Sequence, residues 1–222
     1  MLEAINFRVI LEYMPLYLQC FAATLWLSAL SLLGAILVGI VACAMRLSQS
    51  WVLKRIAGIY IETIRSTPLL AQLYFFYFGL PSLGVMMPEW VTGVIALTLN
   101  SGAYYAEIIR AGIQAIPFGQ IEAGISSGMS YFQRMRYIIL PQALGMTVRP
   151  MLGQAIVLVK DSSLLSLISI MELTRAGQML TSDRFMPTEG FLTTAAFYLV
   201  IYYMLKAFSG WSEKRLIFQE AH

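Results

Sequence analysis

The chain has 222 residues, of which 59% are hydrophobic and only 12% charged, with a formal net charge of +3. A water-soluble domain of this size needs a far more polar surface, so composition excludes one and points to an all-α integral membrane protein in contact with lipid. The small positive excess follows the loop charges described below and gives no sign of a nucleic-acid partner.

The chain begins with Glu3, Arg8 and Glu12 ahead of an apolar run much longer than a signal-peptide core, so no cleavable signal is expected. Five apolar stretches approach or exceed the roughly 20 helical residues that cross a hydrocarbon core: 17–45, 56–80, 91–113, 137–159 and 191–208. On the first, Ala29, Gly34, Ala35, Gly39 and Ala42 favour close helix packing. Cys20 and Cys43 share that helix roughly 34 Å apart and cannot form a disulfide. On the second, Pro68 predicts an interruption. Asn100 falls about halfway along the third span and Arg149 about halfway along the fourth, where the adjacent Pro150 predicts a break. The apolar patch from Leu164 to Leu173 is too short to span and reads as a short helix packed at the outer surface. No linker, repeat or low-complexity tract interrupts the chain, which reads as a single domain over residues 1–222.

Lys and Arg concentrate in cytoplasmic loops of membrane proteins. Arg46, Lys54 and Arg55 follow the first span, Arg110, Arg134 and Arg136 surround the loop after the third, and Lys206, Lys214 and Arg215 lie toward the C-terminus. The opposite side has Arg8, Lys160, Arg175 and Arg184. This places the N-terminus outside, the C-terminus in the cytoplasm, and the loop 114–136 on the cytoplasmic side.

That loop carries structure of its own. Pro117 suits a first helical turn, and Phe118, Ile121, Ile125 and Met129 recur at helical spacing to form one apolar face. Glu122 lies early, where a helix N-terminus favours negative charge. Gly128 suits the left-handed residue that ends a helix, and Ser130 with Gln133 forms a capping-box pattern that starts another. Two short helices at a glycine elbow are expected, the first needing a protein groove or a lipid surface for its apolar stripe. An interfacial helix would carry Lys or Arg beside the stripe, whereas residues 117–133 contain neither.

Ionisable residues at membrane depth cost several kcal/mol unless paired. Glu62 with Arg65 and Glu107 with Arg110 are spaced i, i+3, consistent either with local neutralising pairs or with an inner gate beside the loop. Asn100 and Arg149 are the candidate substrate contacts at mid-membrane, where transporters place polar groups on broken helices. Arg149 could hold an α-carboxylate through two hydrogen bonds or pair with an acidic group of a partner subunit, and both readings stay open.

There is no CxxC, HExxH, P-loop or GxSxG pattern, and the only histidine is His222. With no nucleophile, base or metal set, the chain is not expected to be an enzyme and no metal site is expected. Glu122-Ala123-Gly124, then Gly128, Ile138 and Leu140-Pro141, resembles the cytoplasmic signature loop of permease subunits of ATP-binding cassette importers, with Gly124 in place of the usual second alanine. Arg65-Ser66-Thr67-Pro68-Leu69-Leu70 with Gln72, Asn100-Ser101-Gly102-Ala103-Tyr104 with Glu107 and Arg110, and Lys160-Asp161-Ser162-Ser163-Leu164 resemble the polar amino-acid branch. Ser66 and Gly102 depart from that pattern. The resemblance implies two permease subunits, identical or homologous, two cytoplasmic ATP-binding subunits and an extracytoplasmic solute-binding protein in the inner membrane of the cell. It also implies that ATP and magnesium bind to the ATPase, with Phe118, Ile121, Glu122, Ala123, Ile125, Gly128 and Met129 forming the coupling contact. The competing class, a gradient-driven carrier or channel, predicts inverted repeats, and none is visible.

Overall fold

The computed structural model describes the backbone of residues 6–220 and the side chains of residues 6–210. The side chains of Lys214 and Arg215, and the terminal His222, lie outside the described residues. Among the described residues there is no strand. Helix α1 (Phe7–Leu47) starts ten residues earlier than the expected span at Tyr17. Asn6 caps the Val9 N–H, and the first turns pack on the far end of the chain through Tyr13 Oη donating to Asp183 at 3.0 Å, Tyr17 Oη donating to the Gly190 carbonyl at 2.7 Å, and a Glu12–Arg184 pair. Cys20 and Cys43 are both buried free thiols.

The second apolar stretch is broken as Pro68 predicts. Helix α2 (Trp51–Ser66) ends at an extended Thr67, and α3 (Leu69–Tyr74) resumes beyond Pro68. It widens into a π turn over Phe75–Gly79 and closes with the short α4 (Leu80–Ser82). Helix α5 (Glu89–Gln114) follows, packed along α1. The approach is close at Gly39, where an added Cβ would stand 2.6 Å from the Cβ of Tyr105, and at Gly102, where it would stand 2.8 Å from Val38 Cγ1. The small-residue stripe thus serves packing, except that Ala29 is exposed.

Beyond α5 come α6 (Phe118–Ser126), α7 (Tyr131–Arg134), a π turn over Met135–Ile139 and α8 (Leu140–Asp161). Pro150 does not break α8, contrary to expectation; the helix continues through it and tolerates one missing donor. The irregularity falls instead before Pro141. A proline cannot donate to the carbonyl four residues back, and the wider turn re-pairs the chain by directing the Leu140 N–H to the Met135 carbonyl. The Phe75–Gly79 turn does the same one residue ahead of Pro81, with Leu80 N–H on the Phe75 carbonyl.

The patch Leu164–Leu173 is not a surface helix. It is a 3₁₀ extension of α8 (Ser162–Ile168) followed by a turn. Leu165, Ile168 and Ile170 pack with Leu27, Leu73, Ala96 and Leu97 in one core, while Leu167 and Met171 remain exposed. Helix α9 (Leu173–Arg184) starts only at the last patch residue, and α10 (Pro187–Glu220) covers it. Three helical stretches among the described residues are long and apolar enough to cross a membrane: Phe7–Leu47, Tyr131–Ile168 and Pro187–Gly210.

Glu172 anchors the turn. Fully buried, it caps α9 by accepting from the Thr174 and Arg175 N–H groups, each at 2.9 Å, and takes a third bond from Tyr198 Oη at 2.8 Å. Burial outweighs these bonds and pushes its carboxyl up to about 7, from an ordinary 4.5. A carboxyl raised by folding favours the protonated fold, so its contribution is fully present below 4.5 and is lost as pH rises through about 7. The thermal midpoint of the purified protein in detergent is expected to fall across that window, and Glu172→Gln is expected to flatten the dependence.

Candidate functional site

Three features stand out: an elbow after α5, a polar cavity at the α2–α3 break, and a charge cluster between them. In the elbow, α6 ends in paired bonds from Met129 N–H to the Gly124 carbonyl at 3.0 Å and from Gly128 N–H to the Ile125 carbonyl at 2.9 Å, around a left-handed Gly128 at φ 75°. This is the glycine C-cap predicted from sequence. Ser130 and Gln133 form the expected reciprocal capping box. Phe118 and Ile125 are 69% and 53% exposed and Ile121 is half-buried, so the stripe stands open on α6. Glu122 and Ala123 are also exposed. Met129 differs from expectation: it lies past the helix end, half-buried, with Arg134 Nη1 donating to its carbonyl. Gly124 is buried because α6 lies close on the following turn, where a Cβ would meet Ile138 Cδ1 at 2.8 Å.

The cavity grows from the helix break. Pro68 leaves the Ile64 carbonyl without its helical donor, and Gln72 supplies one: its Nε2 donates to the Ile64 carbonyl at 2.8 Å and to Thr67 Oγ1 at 2.7 Å. Its free amide oxygen then accepts from Asn100 Nδ2 at 3.1 Å, joining the break to the middle of α5. Beside this seal lies a cavity of about 520 Å³ with Arg65, Thr67, Asn100, Tyr104, Gln154 and Asp161 in its wall. That volume suits a small-molecule ligand. Asp161 accepts no hydrogen bond among the described residues, so a cation and an anion face one space with neutral amides between them. Gln72, Gln154 and Asp161 escaped the sequence-based choice of site residues, although Gln72 and Asp161 sat inside the quoted motifs. Arg149 does not join Asn100 here; it lies on an exposed face of α8, off the cavity wall.

The charge cluster rearranges the expected pairs. Glu107 and Arg110 pair as predicted, with Nε to Oε1 at 2.9 Å and Nη2 to Oε2 at 2.6 Å. Glu62 and Arg65 do not. Glu62 instead meets Arg46 of α1 at 3.6 Å, and Arg65 reaches Glu107 at 3.9 Å and lies 5.3 Å from the Tyr104 ring centre. The Arg46 guanidinium lies against Gly58, where an added Cβ would stand 2.5 Å from Nη1.

An all-helical membrane protein with an exposed helical elbow and a polar cavity on a broken helix has the parts of a transport subunit. The chain belongs to the family of binding-protein-dependent transport system inner membrane components, whose model matches residues 35–218, and it is a multi-pass protein of the cell inner membrane. It is 36% identical to the probable glutamine ABC transporter permease protein GlnM of Bacillus subtilis over 95% of this chain and 98% of that one. It is likewise 36% identical to the glutamine transport system permease protein GlnP of Escherichia coli K12, over 91% and 93%. The crystal structure of an amino acid ABC transporter with histidines superposes with a TM-score of 0.91 at 37% identity, covering 96% of this chain and 99% of that one. The MetNI methionine ABC transporter shares the fold at 20% identity, with a TM-score of 0.74.

Gly128→Val is expected to insert normally yet loosen the elbow, since a side chain at a left-handed position costs about 1–2 kcal/mol. Hydrogen exchange of residues 118–134 should then accelerate relative to α5; unchanged protection there would count against a structural role for Gly128.

Proposed function

We propose that this chain is the permease subunit of an ATP-binding cassette importer that carries a polar or charged amino acid inward, driven by a separate ATPase. The observation that carries the reading is the cavity at the helix break. Arg65 offers a planar fork for an α-carboxylate and Asp161 an acceptor for an ammonium group. Asn100 and Gln154 offer the amide contacts a polar side chain needs, and 37% identity to a solved amino acid transporter over nearly the whole chain supports the same substrate class. A gradient-driven carrier is not favoured.

The reading assigns each remaining part. Residues 17–45, 56–80, 91–113, 137–159 and 191–208 contain five spans with the N-terminus outside, the second broken at Pro68 and the third supplied by α5, whose 26 residues reach roughly 39 Å. Helix α6 inserts Phe118, Ile121 and Ile125 into a groove of the ATPase, with Glu122, Ala123, Gly128 and Met129 shaping the elbow, so that closure of an ATPase dimer around ATP and magnesium moves α5 and α8 together. A solute-binding protein delivers the amino acid from outside. Arg149, on the exposed face of α8 and away from the cavity, contacts a second permease subunit.

Two measurements test this. Labelling from outside is expected to reach Ser182→Cys in intact cells, and Ser126→Cys only after permeabilisation; labelling of Ser126→Cys in intact cells would reverse the topology. In the transporter assembled with its ATPase, Asp161→Asn is expected to reduce equilibrium binding of labelled L-glutamine by about tenfold or more, as for loss of one charge-assisted hydrogen bond, without loss of assembly. Wild-type binding by this variant would remove Asp161 from the site.

A further inference from the structure

A second polar cavity, of about 430 Å³, lies beside the first and has Arg46, Glu62, Arg65, Tyr104, Glu107 and Arg110 in its wall. The two cavities meet at Arg65, Ser66 and Tyr104, which line both. Position along α5 sets their order. Asn100 in the first cavity lies ten residues, roughly 15 Å, before Arg110 in the second, and Arg110 stands one turn from the helix end that leads into α6. The second cavity therefore lies between the first and the elbow.

Three guanidinium groups against two carboxylates leave this cavity one positive charge over. Their bonding shows which group is in surplus. Glu107 is held by two short bonds from Arg110, which also donates to Gln114. Arg46 lies 3.6 Å from Glu62 and donates to the Lys54 carbonyl. Arg65 stands 3.9 Å from a carboxylate already engaged, beyond hydrogen-bond range, and makes no hydrogen bond among the described residues. Its fork stands at the boundary of both spaces, held by the loose ion pair with Glu107 and by the Tyr104 ring.

We propose that the second cavity is an exit site for the free α-carboxylate of the transported amino acid. Arg65 takes the carboxylate in the first cavity and carries it across the shared wall, and Arg46 is the second donor that receives it. Arg46 is suited to this because its pair with Glu62 is loose and half-exposed, whereas releasing Arg110 would strand Glu107. The inference rests on the proposed amino-acid importer and adds a second stop for the substrate within it.

The test uses the transporter reconstituted in vesicles with its ATPase and solute-binding protein. Arg46→Gln is expected to bind labelled L-glutamine as the wild type does but to transport it about tenfold more slowly, the scale of one lost charge-assisted hydrogen bond, and Arg46→Lys is expected to recover most of the rate. Arg46→Gln that transports at the wild-type rate, or that loses binding and transport together, would overturn the exit site. An independent arm needs no variant: L-glutamine supplied on the elbow side of wild-type vesicles should slow uptake, while its α-carboxamide, which lacks the carboxylate, should not. Equal effects of the two compounds would also overturn the proposal. Failure of the underlying importer reading is distinguishable, because it appears as absence of ATP-dependent L-glutamine uptake in the wild type.

Discussion

A backbone carbonyl inside hydrocarbon has no water to turn to, so every break in a membrane helix must be sealed from within the protein. The seal at Thr67–Pro68 is made by side chains, with Thr67 Oγ1 donating to the Thr63 carbonyl at 3.0 Å. Gln72 replaces the N–H that Pro68 lacks, and its remaining oxygen reaches Asn100 on the facing helix. Those bonds join the break to the middle of α5 beside the space at Arg65. The prolines at positions 81 and 141 meet the same constraint differently, each preceded by a π turn that re-pairs the backbone locally. Gln142 Nε2 adds a side-chain bond to the Ile138 carbonyl at 2.8 Å beside Pro141, and the Pro68 break borders the polar cavities that share Arg65.

Charge follows the same logic at larger scale. The carboxylates of Glu62 and Glu107 each have an arginine from another turn or helix, which neutralises them and ties α1, α2 and α5 together near the elbow. Pairing several arginines with fewer carboxylates leaves Arg65 incompletely engaged. The Arg65 guanidinium, paired with Glu107 only at 3.9 Å, faces both cavities, which is why the proposed carboxylate contact falls to it. Motion of the elbow would reach this network directly, because Arg110 stands one turn from the end of α5.

The local grammar of the loop was legible in residues 117–133: the proline at the start, the glycine at the elbow and the capping box each specify backbone geometry through their own chemistry. The helix break at Pro68 was legible for the same reason. Tertiary choices were not. Spacing alone pairs Glu62 with Arg65, but Arg46 comes from α1 to meet Glu62 and Arg65 reaches across to Glu107, which depends on how three helices pack. Pro150 reads as a break in isolation, yet α8 runs through it. Length alone makes the patch Leu164–Leu173 a surface helix, but Leu165, Ile168 and Ile170 are buried against α1, α3 and α5. Asp161 and Gln72 were visible in motifs, but their roles depend on what faces them across the cavity. Periodicity could not separate Arg149 from the cavity either, because helix rotation is set by packing.

If the Pro68 break, sealed by Gln72, shapes a substrate cavity, closing the break should cost binding. Pro68→Ala tests it most directly, since the substituted alanine would return an N–H to the Ile64 carbonyl, let α2 run on into α3 and release Gln72. The decisive measurement is equilibrium binding of labelled L-glutamine to the assembled transporter, with its thermal midpoint recorded alongside. The account predicts at least about a tenfold loss of affinity, a change of about 1.4 kcal/mol, with a midpoint equal to or above that of the wild type. Wild-type affinity in a stable Pro68→Ala transporter would contradict it.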